Sequence, residues 1–251
     1  MLSSVRFSVL AAVFCFSSAA GAQGPAGTND AEARFNAGLT HLRDGRPKLA
    51  LEEFQNAIKQ DPKNPYFHKG LGLAYATLKR FDDAVGAFRK ALELNPYYTD
   101  VRNDLGMALV LSGKRQEGKA EFLAAFNDPT NPTPEISARN LGQAYFEEKN
   151  NAEAANWFRS SLNRNKAYPD AYLGLADSLG ALGRAEDAIA MLETGAREIP
   201  TSTAIQLSLG EAYFKAGRMA DARARLEDAR QKDPNGADAR RAAELLKRFP
   251  R

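Results

Sequence analysis

At 251 residues, 44% of them apolar and 26% charged, the chain can bury a sizeable core and is too hydrophobic to be disordered. Its formal net charge of +3 arises from 34 basic and 31 acidic residues mixed along the whole length, which argues against the basic footprint of a nucleic-acid binder. Two histidines and one cysteine provide no Cys/His cluster for zinc.

The N-terminus has the order of an export signal. Residues 1–6 make a short start charged by Arg6, and residues 7–16 (FSVLAAVFCF) are an apolar run. Residues 17–22 end in Ala20-Gly21-Ala22, an A-x-A cleavage pattern before Gln23. The run is too short to span a bilayer as a helix of about 20 residues. Residues 1–22 are therefore expected to be a cleavable signal peptide, with no transmembrane segment left after cleavage. Loss of Arg6 would leave 33 basic against 31 acidic residues, a net charge of +2. Cys15 lies inside the apolar run and follows Phe14, where a lipidation signal needs a small residue. The mature chain then has no thiol and no lipid, a composition suited to an oxidising compartment. Residues 23–30 (QGPAGTND) read as a flexible linker.

From Ala31 a repeat takes over. Small pivots fall at Gly38, Gly72, Gly106, Gly142, Ala176 and Gly210, at spacings of 34, 34, 36, 34 and 34. Twelve residues after each pivot stands another small residue: Ala50, Ala84, Gly118, Ala154, Ala188 and Ala222. Four further on comes a large apolar one: Phe54, Phe88, Phe122, Phe158, Leu192 and Leu226. Proline closes most units, at Pro62, Pro96, Pro200 and Pro234. Each unit carries two apolar stripes at i, i+3, i+4 and i+7 spacing, hence two amphipathic helices. Gly45, Lys79, Gly113, Lys149, Gly183 or Gly217 marks the turn between them. The small residues are expected to let the two helices approach closely, and the Phe or Leu to fill the wedge toward the next unit. No hairpin can bury both faces alone, so stacking stabilises the array and its ends need caps. Residues 237–251, with Ala243, Leu245, Leu246 and Phe249, look like a C-terminal capping helix and tail.

This L-G…Y…A…F…A…P pattern resembles the tetratricopeptide repeat family over residues 31–236. The resemblance implies an all-α, right-handed superhelical solenoid of six helix-turn-helix repeats, at 31–64, 65–98, 99–134, 135–168, 169–202 and 203–236. The third unit departs from the pattern: its joint, residues 127–134 (NDPTNPTP), adds two residues to the period. Three prolines there forbid helix, so the second helix must end early in a rigid loop. That loop is either a tolerated surface insertion, a contact surface or a bend. Thr133 before Pro134 and the Asn235-Gly236 joint are expected to cap and break helices.

Catalytic chemistry is not legible. His41 holds the place taken by Tyr75, Tyr145 and Tyr213 in other units, which points to packing. No G-x-x-x-x-G-K-[ST] motif occurs, and the acids fall on helix faces and turns where charge is ordinary. No cofactor or metal is expected, and binding rather than catalysis is the expected role.

In the family resembled, the first helix of each repeat lines a concave face through its second, fifth, ninth, twelfth and thirteenth places. Carried over, this gives an apolar stripe of Leu39, Leu42, Leu73, Met107, Val110, Gln143 and Phe146, edged by Lys69, Asn103 and Arg139. The alternative is that these side chains pack against one another. Each large apolar anchor taken by an open stripe would contribute roughly 1.5–3 kcal/mol. Three or four of them only modestly exceed an association cost of about 4–15 kcal/mol. A protein or peptide partner, as an amphipathic helix or extended segment, is expected to bind at micromolar strength or somewhat better. A chaperone-type carboxylate clamp is excluded by Phe35 and Leu39 at the places where it needs Lys and Asn.

Export signal, six repeats and short cap are also similar to the type IV pilus biogenesis proteins that act as pilotins for an outer-membrane secretin. The segment 128–135 (DPTNPTPE) followed by Asn140-Leu141-Gly142, and Asn103 with Gly106, carry that likeness. It implies a periplasmic protein, or one on the periplasmic face of the outer membrane. Pilotins are usually lipoproteins, and here Phe14 before Cys15 departs from them. The competing reading is a general exported scaffold for another envelope or polysaccharide-export machine.

Overall fold

The computed structural model describes residues 29–249. The expected signal peptide and most of the linker lie outside the described residues, whereas Asn29 and Asp30, read as linker, already belong to the first helix. Thirteen helices and no strand occur among the described residues. They run α1 (Asn29–Arg43), α2 (Pro47–Gln60), α3 (Pro65–Thr77), α4 (Phe81–Leu94), α5 (Thr99–Leu111), α6 (Arg115–Asn127) and α7 (Pro134–Glu147). Then follow α8 (Asn151–Arg164), α9 (Pro169–Ala181), α10 (Ala185–Glu198), α11 (Thr203–Lys215), α12 (Met219–Lys232) and α13 (Ala237–Leu246). The helices divide between two compact units, α1–α5 and α6–α13, with the division at Gly113. No described helix is long and apolar enough to cross a membrane.

Each hairpin turns through one left-handed residue, and these are the six turn residues expected from the repeat. Gly45, Gly113, Gly183 and Gly217 have φ of 70°, 90°, 75° and 75°, and Lys79 and Lys149 adopt 58° and 61°. The left-handed residue lets the chain bond back onto the helix it leaves. Gly45 N donates to Leu42 O at 3.0 Å and Arg46 N to His41 O at 2.8 Å, which satisfies two of the orphan carbonyls at the end of α1. The same pair of bonds recurs after Lys79, Lys149, Gly183 and Gly217. Pro47, Pro65, Pro134 and Pro169 open the next helices, where a missing N–H costs nothing.

The close approach expected at the pivots is made by rings. In α1–α5, a methyl group on Gly38 would come within 2.6 Å of the Phe54 ring, and one on Gly72 within 2.4 Å of Phe88. Phe54 lies equally close to Gly70 of the next repeat, so one ring from a second helix fills the wedge between two first helices. Phe158 does the same in the second unit, between Gly142 and Gly174. Phe54, Phe88 and Phe158 are completely buried or nearly so, each withdrawing an aromatic side chain worth roughly 1.5–3 kcal/mol from water.

At the Pro-rich joint the structure is specific. α6 stops at Asn127, one residue short of the other second helices. Buried Asn131 then pins the loop: its Nδ2 donates to Ala125 O at 2.7 Å and to Ser137 Oγ at 3.3 Å, while its Oδ1 accepts from Thr133 N at 2.9 Å. Thr133 precedes α7 but makes no side-chain cap; Asn131 secures that start instead. α13 packs on α11 and α12, and buried Phe249 sits 5.1 Å from Phe214 with Arg223 over its ring, closing the end of the second unit.

Candidate protein-binding face

The first helices α1, α3 and α5 bring seven of the ten candidate residues into the first unit, and the 34-residue period gives Lys69 and Asn103 the same place on successive helices. Packing then sorts the candidates. Leu42 and Leu73 belong to the core around Phe54 and Phe88, and Val110 and Asn103 are also buried. The expected open apolar stripe is thus partly consumed by packing between neighbouring helices. Leu39, Lys69 and Met107 stay half-buried on this unit, and Arg139, Gln143 and Phe146 on the second.

Around Lys69 the surface is polar and aromatic. Its ammonium lies 3.5 Å from Asp100 and 5.0 Å above the Tyr98 ring, and Tyr98 meets Tyr66 edge-on at 5.4 Å. Half-buried Asp104 stands on the same helix as Asp100. Burial pushes its carboxyl up to about 7, Asp100 adding to the rise and Lys69 opposing it. Burial also holds the Tyr98 hydroxyl above its ordinary value, with Tyr66, Asp100 and Asp104 contributing. Asn103 Oδ1 is buried with no hydrogen-bond partner among the described residues. Two acids against one ammonium, an unpartnered acceptor and two tyrosines make this patch acceptor-rich. Tyr66 and Asp100 occupy the second place of their repeats, so tabulating that place along the period would have found them. Nothing in the sequence marks Asp104 as half-buried.

On the second unit, Arg139 repeats the relation of Lys69 to the following helix. Its Nη2 donates to Asp170 at 2.8 Å and its Nη1 to Asn140 Oδ1 at 3.0 Å. Gln143 Nε2 donates to Glu147 at 3.0 Å. Nearby, buried Lys119 of α6 donates to Glu148 at 2.6 Å and lies over the Tyr145 ring at 4.3 Å, a desolvated cation fully engaged within the unit. His68 is buried with its Nε2 2.9 Å from Pro62 O, and His41 is half-buried with no partner for its Nδ1 among the described residues. Among the described residues no group of His, Cys, Asp and Glu could hold a metal ion.

Paired helices, left-handed turns and ring-filled wedges at this period define a helical-repeat scaffold. Two tetratricopeptide repeat family models match, one over residues 29–99 and 103–172 and the other over 145–206 and 181–248. The chain belongs to the tetratricopeptide repeat family. It is similar to the type IV pilus assembly protein PilF of Pseudomonas aeruginosa, with 28% identity over 148 residues, 59% of each chain. It spans less than two thirds of the length of this and other curated relatives it matches. Among solved structures it resembles PilW, a type IV pilus biogenesis factor, with a TM-score of 0.68 and 23% identity over 85% of this chain and 98% of that one. A structure of Pseudomonas aeruginosa PilF gives 0.67 and 22% over 88% and 100%. At that identity the solved structures speak for the fold.

Proposed function

We propose that this chain is an exported scaffold that binds a protein partner through the faces of its first helices and assists the assembly of an outer-membrane secretin in type IV pilus biogenesis. The observation that carries the reading is the sequence match to a pilus assembly protein, which runs through 148 residues of the repeats. The apolar run and A-x-A pattern at the N-terminus support export to the periplasm. The role is binding, without catalysis or a cofactor: the half-buried Leu39, Lys69, Met107, Arg139, Gln143 and Phe146 offer contacts to an amphipathic or extended segment. The unpartnered Asn103 and the raised Asp104 favour a segment that brings hydrogen-bond donors to the first unit.

The test is a crosslinking pull-down from the native cell envelope with the chain from Gln23 as bait. Its control carries Met107→Lys and Gln143→Lys, half-buried positions chosen in place of the buried Leu73. Recovery of a secretin by the native bait alone is the expected result. Recovery of a different envelope or polysaccharide-export assembly would transfer the function to a general periplasmic scaffold, and no specific recovery would remove the first-helix faces as the site.

A further inference from the structure

The fifth repeat lacks a side chain that the four before it supply. The place held by Ile58, Leu92, Phe126 and Leu162 in repeats one to four is Ala196 in the fifth. Ile58, Leu92 and Leu162 pack partly buried against their cores, and Phe126 meets Trp157 edge-on. With only a methyl group there, a cavity of ≈ 300 Å³ remains between α10, α11 and α12, open to solvent on one side. Glu193, Ala196, Arg197, Tyr213 and Arg225 line it. This is room for roughly ten waters, at the small end of the range for ligand sites.

The lining charges are unequal. Arg197 donates to the neutral Thr194 at 3.0 Å and Arg225 to the neutral, buried Gln206 at 3.4 Å, so neither hydrogen bond neutralises a guanidinium. The one lining carboxylate, Glu193, is already engaged, accepting from the Tyr213 hydroxyl at 2.5 Å and lying 3.8 Å from Arg218. Arg218 also stacks on the Tyr213 ring at 4.2 Å, bringing a third cation to the wall behind. Burial and the bond to Glu193 push the Tyr213 hydroxyl up to about 12, so it remains a neutral donor and adds no negative charge. The result is a small concavity with an alanine and an aromatic ring for walls and two guanidinium groups at hand.

We infer that this cavity binds a carboxylate carried on a short apolar stem, with Arg197 and Arg225 taking the oxygens and Ala196 and the Tyr213 ring taking the stem. Guanidinium groups suit this role because their planar fork matches the two oxygens of a carboxylate. The site is built from second helices and one tyrosine, apart from the residues proposed for the partner face. The carboxylate can come from the C-terminus of a protein chain or from a free short-chain acid.

The test is an NMR titration of the isotope-labelled full chain, read at the amides of α10 and α11. The probes are N-acetyl-alanine, N-acetyl-alaninamide and inorganic phosphate. N-acetyl-alanine is expected to give saturable shifts, with the amide at least ~10-fold weaker. Ala196→Leu, which restores the side-chain size of the earlier repeats, should abolish saturation without lowering the melting temperature. Arg225→Gln should weaken binding ~10-fold if the leucine variant proves hard to fold. Equal response to acid and amide, saturation that survives both substitutions, or phosphate binding as tightly as the acid would each overturn the inference. Acetyl-tetra-alanine separates the sources: tighter binding than N-acetyl-alanine marks a protein C-terminus, and equal or weaker binding marks a free acid, both upholding the carboxylate site.

Discussion

The second and fifth repeats each pack a ring on a glycine between their paired helices, but from opposite helices and at different levels of the pair. In the second, Phe88 of α4 presses its ring on Gly72 of α3, and the glycine is there because a methyl group would sit 2.4 Å from the ring. In the fifth, the second helix offers only Leu192 and the pivot is Ala176. The ring comes instead from the first helix: Tyr172 lies 2.8 Å from where a Cβ on Gly195 would stand. Glycine has moved with the ring, from the first helix to the second. In both repeats the paired helices share a volume between one ring and one missing methyl group, and the helix that supplies each differs.

The harshest way to break this comparison is to remove the rings. Phe88→Ala should destabilise α1–α5 by ~3–5 kcal/mol, because a completely buried ring leaves a cavity that rigid helices cannot collapse. Leu192→Ala in the second unit should cost ~2–4 kcal/mol, since a smaller side chain is removed and the Tyr172 ring remains packed between the same two helices. Denaturant unfolding with amide hydrogen exchange, read separately on α1–α5 and α6–α13, gives both values. An equal loss from the two would show that Tyr172 does not replace the missing ring.

A gentler exchange sharpens the point. Gly72→Ala alone should cost ~1–3 kcal/mol by overpacking against Phe88. Adding Phe88→Leu imports the alanine and leucine of the fifth repeat and should recover part of that loss, so the double variant is more stable than the sum of the single ones. Strict additivity in the double-mutant cycle would defeat the shared-volume account.

The two units also differ in how they treat charge. Arg139 and Asp170 pair with neutralising geometry, whereas Lys69 faces both Asp100 and the raised Asp104. A carboxyl whose folded value lies above its unfolded one binds more protons when folded. Its contribution is favourable at low pH and is lost as pH rises from about 4 towards 7. Stability of the first unit should therefore decline by ~1–2 kcal/mol across that window, less than full burial would impose because Asp104 keeps a solvent-facing side. Asp104→Asn should flatten the dependence. If the slope survives the substitution, another group carries it.

The repeat pattern made the helices legible because period and composition agree: apolar spacing locates the pairs, and the six turn residues all take the left-handed conformation. The early end of α6 followed from its prolines. The candidate face was less legible. Periodicity says which side of a first helix a residue is on, and it assigned Leu73 and Met107 to the same stripe. Whether a residue there is exposed depends on how far the neighbouring first helix covers it, so Leu73 is buried while Met107 is half-buried. The pinning of the Pro-rich joint by Asn131 was also invisible, since it needs three bonds from one amide to atoms six residues away on one side and two and six on the other.

The smallest expected effect lies at the turns, where the two units are alike. Lys79 and Lys149 occupy the left-handed position that the other four hairpins give to glycine, at φ of 58° and 61°. A side chain there crowds the following carbonyl, and glycine removes that crowding while adding freedom to the unfolded chain. The first effect is the larger, so Lys79→Gly and Lys149→Gly should each stabilise their unit by ~0.5–1 kcal/mol. Neither lysine side chain is buried, so no packing is forfeited. Equal gains in the two units, read from denaturation midpoints, would show that the hairpin turn is a local device indifferent to how its wedge is filled. A gain confined to one unit would tie the turn to the packing beside it, and the shared-volume account would then have to include the backbone as well as the rings.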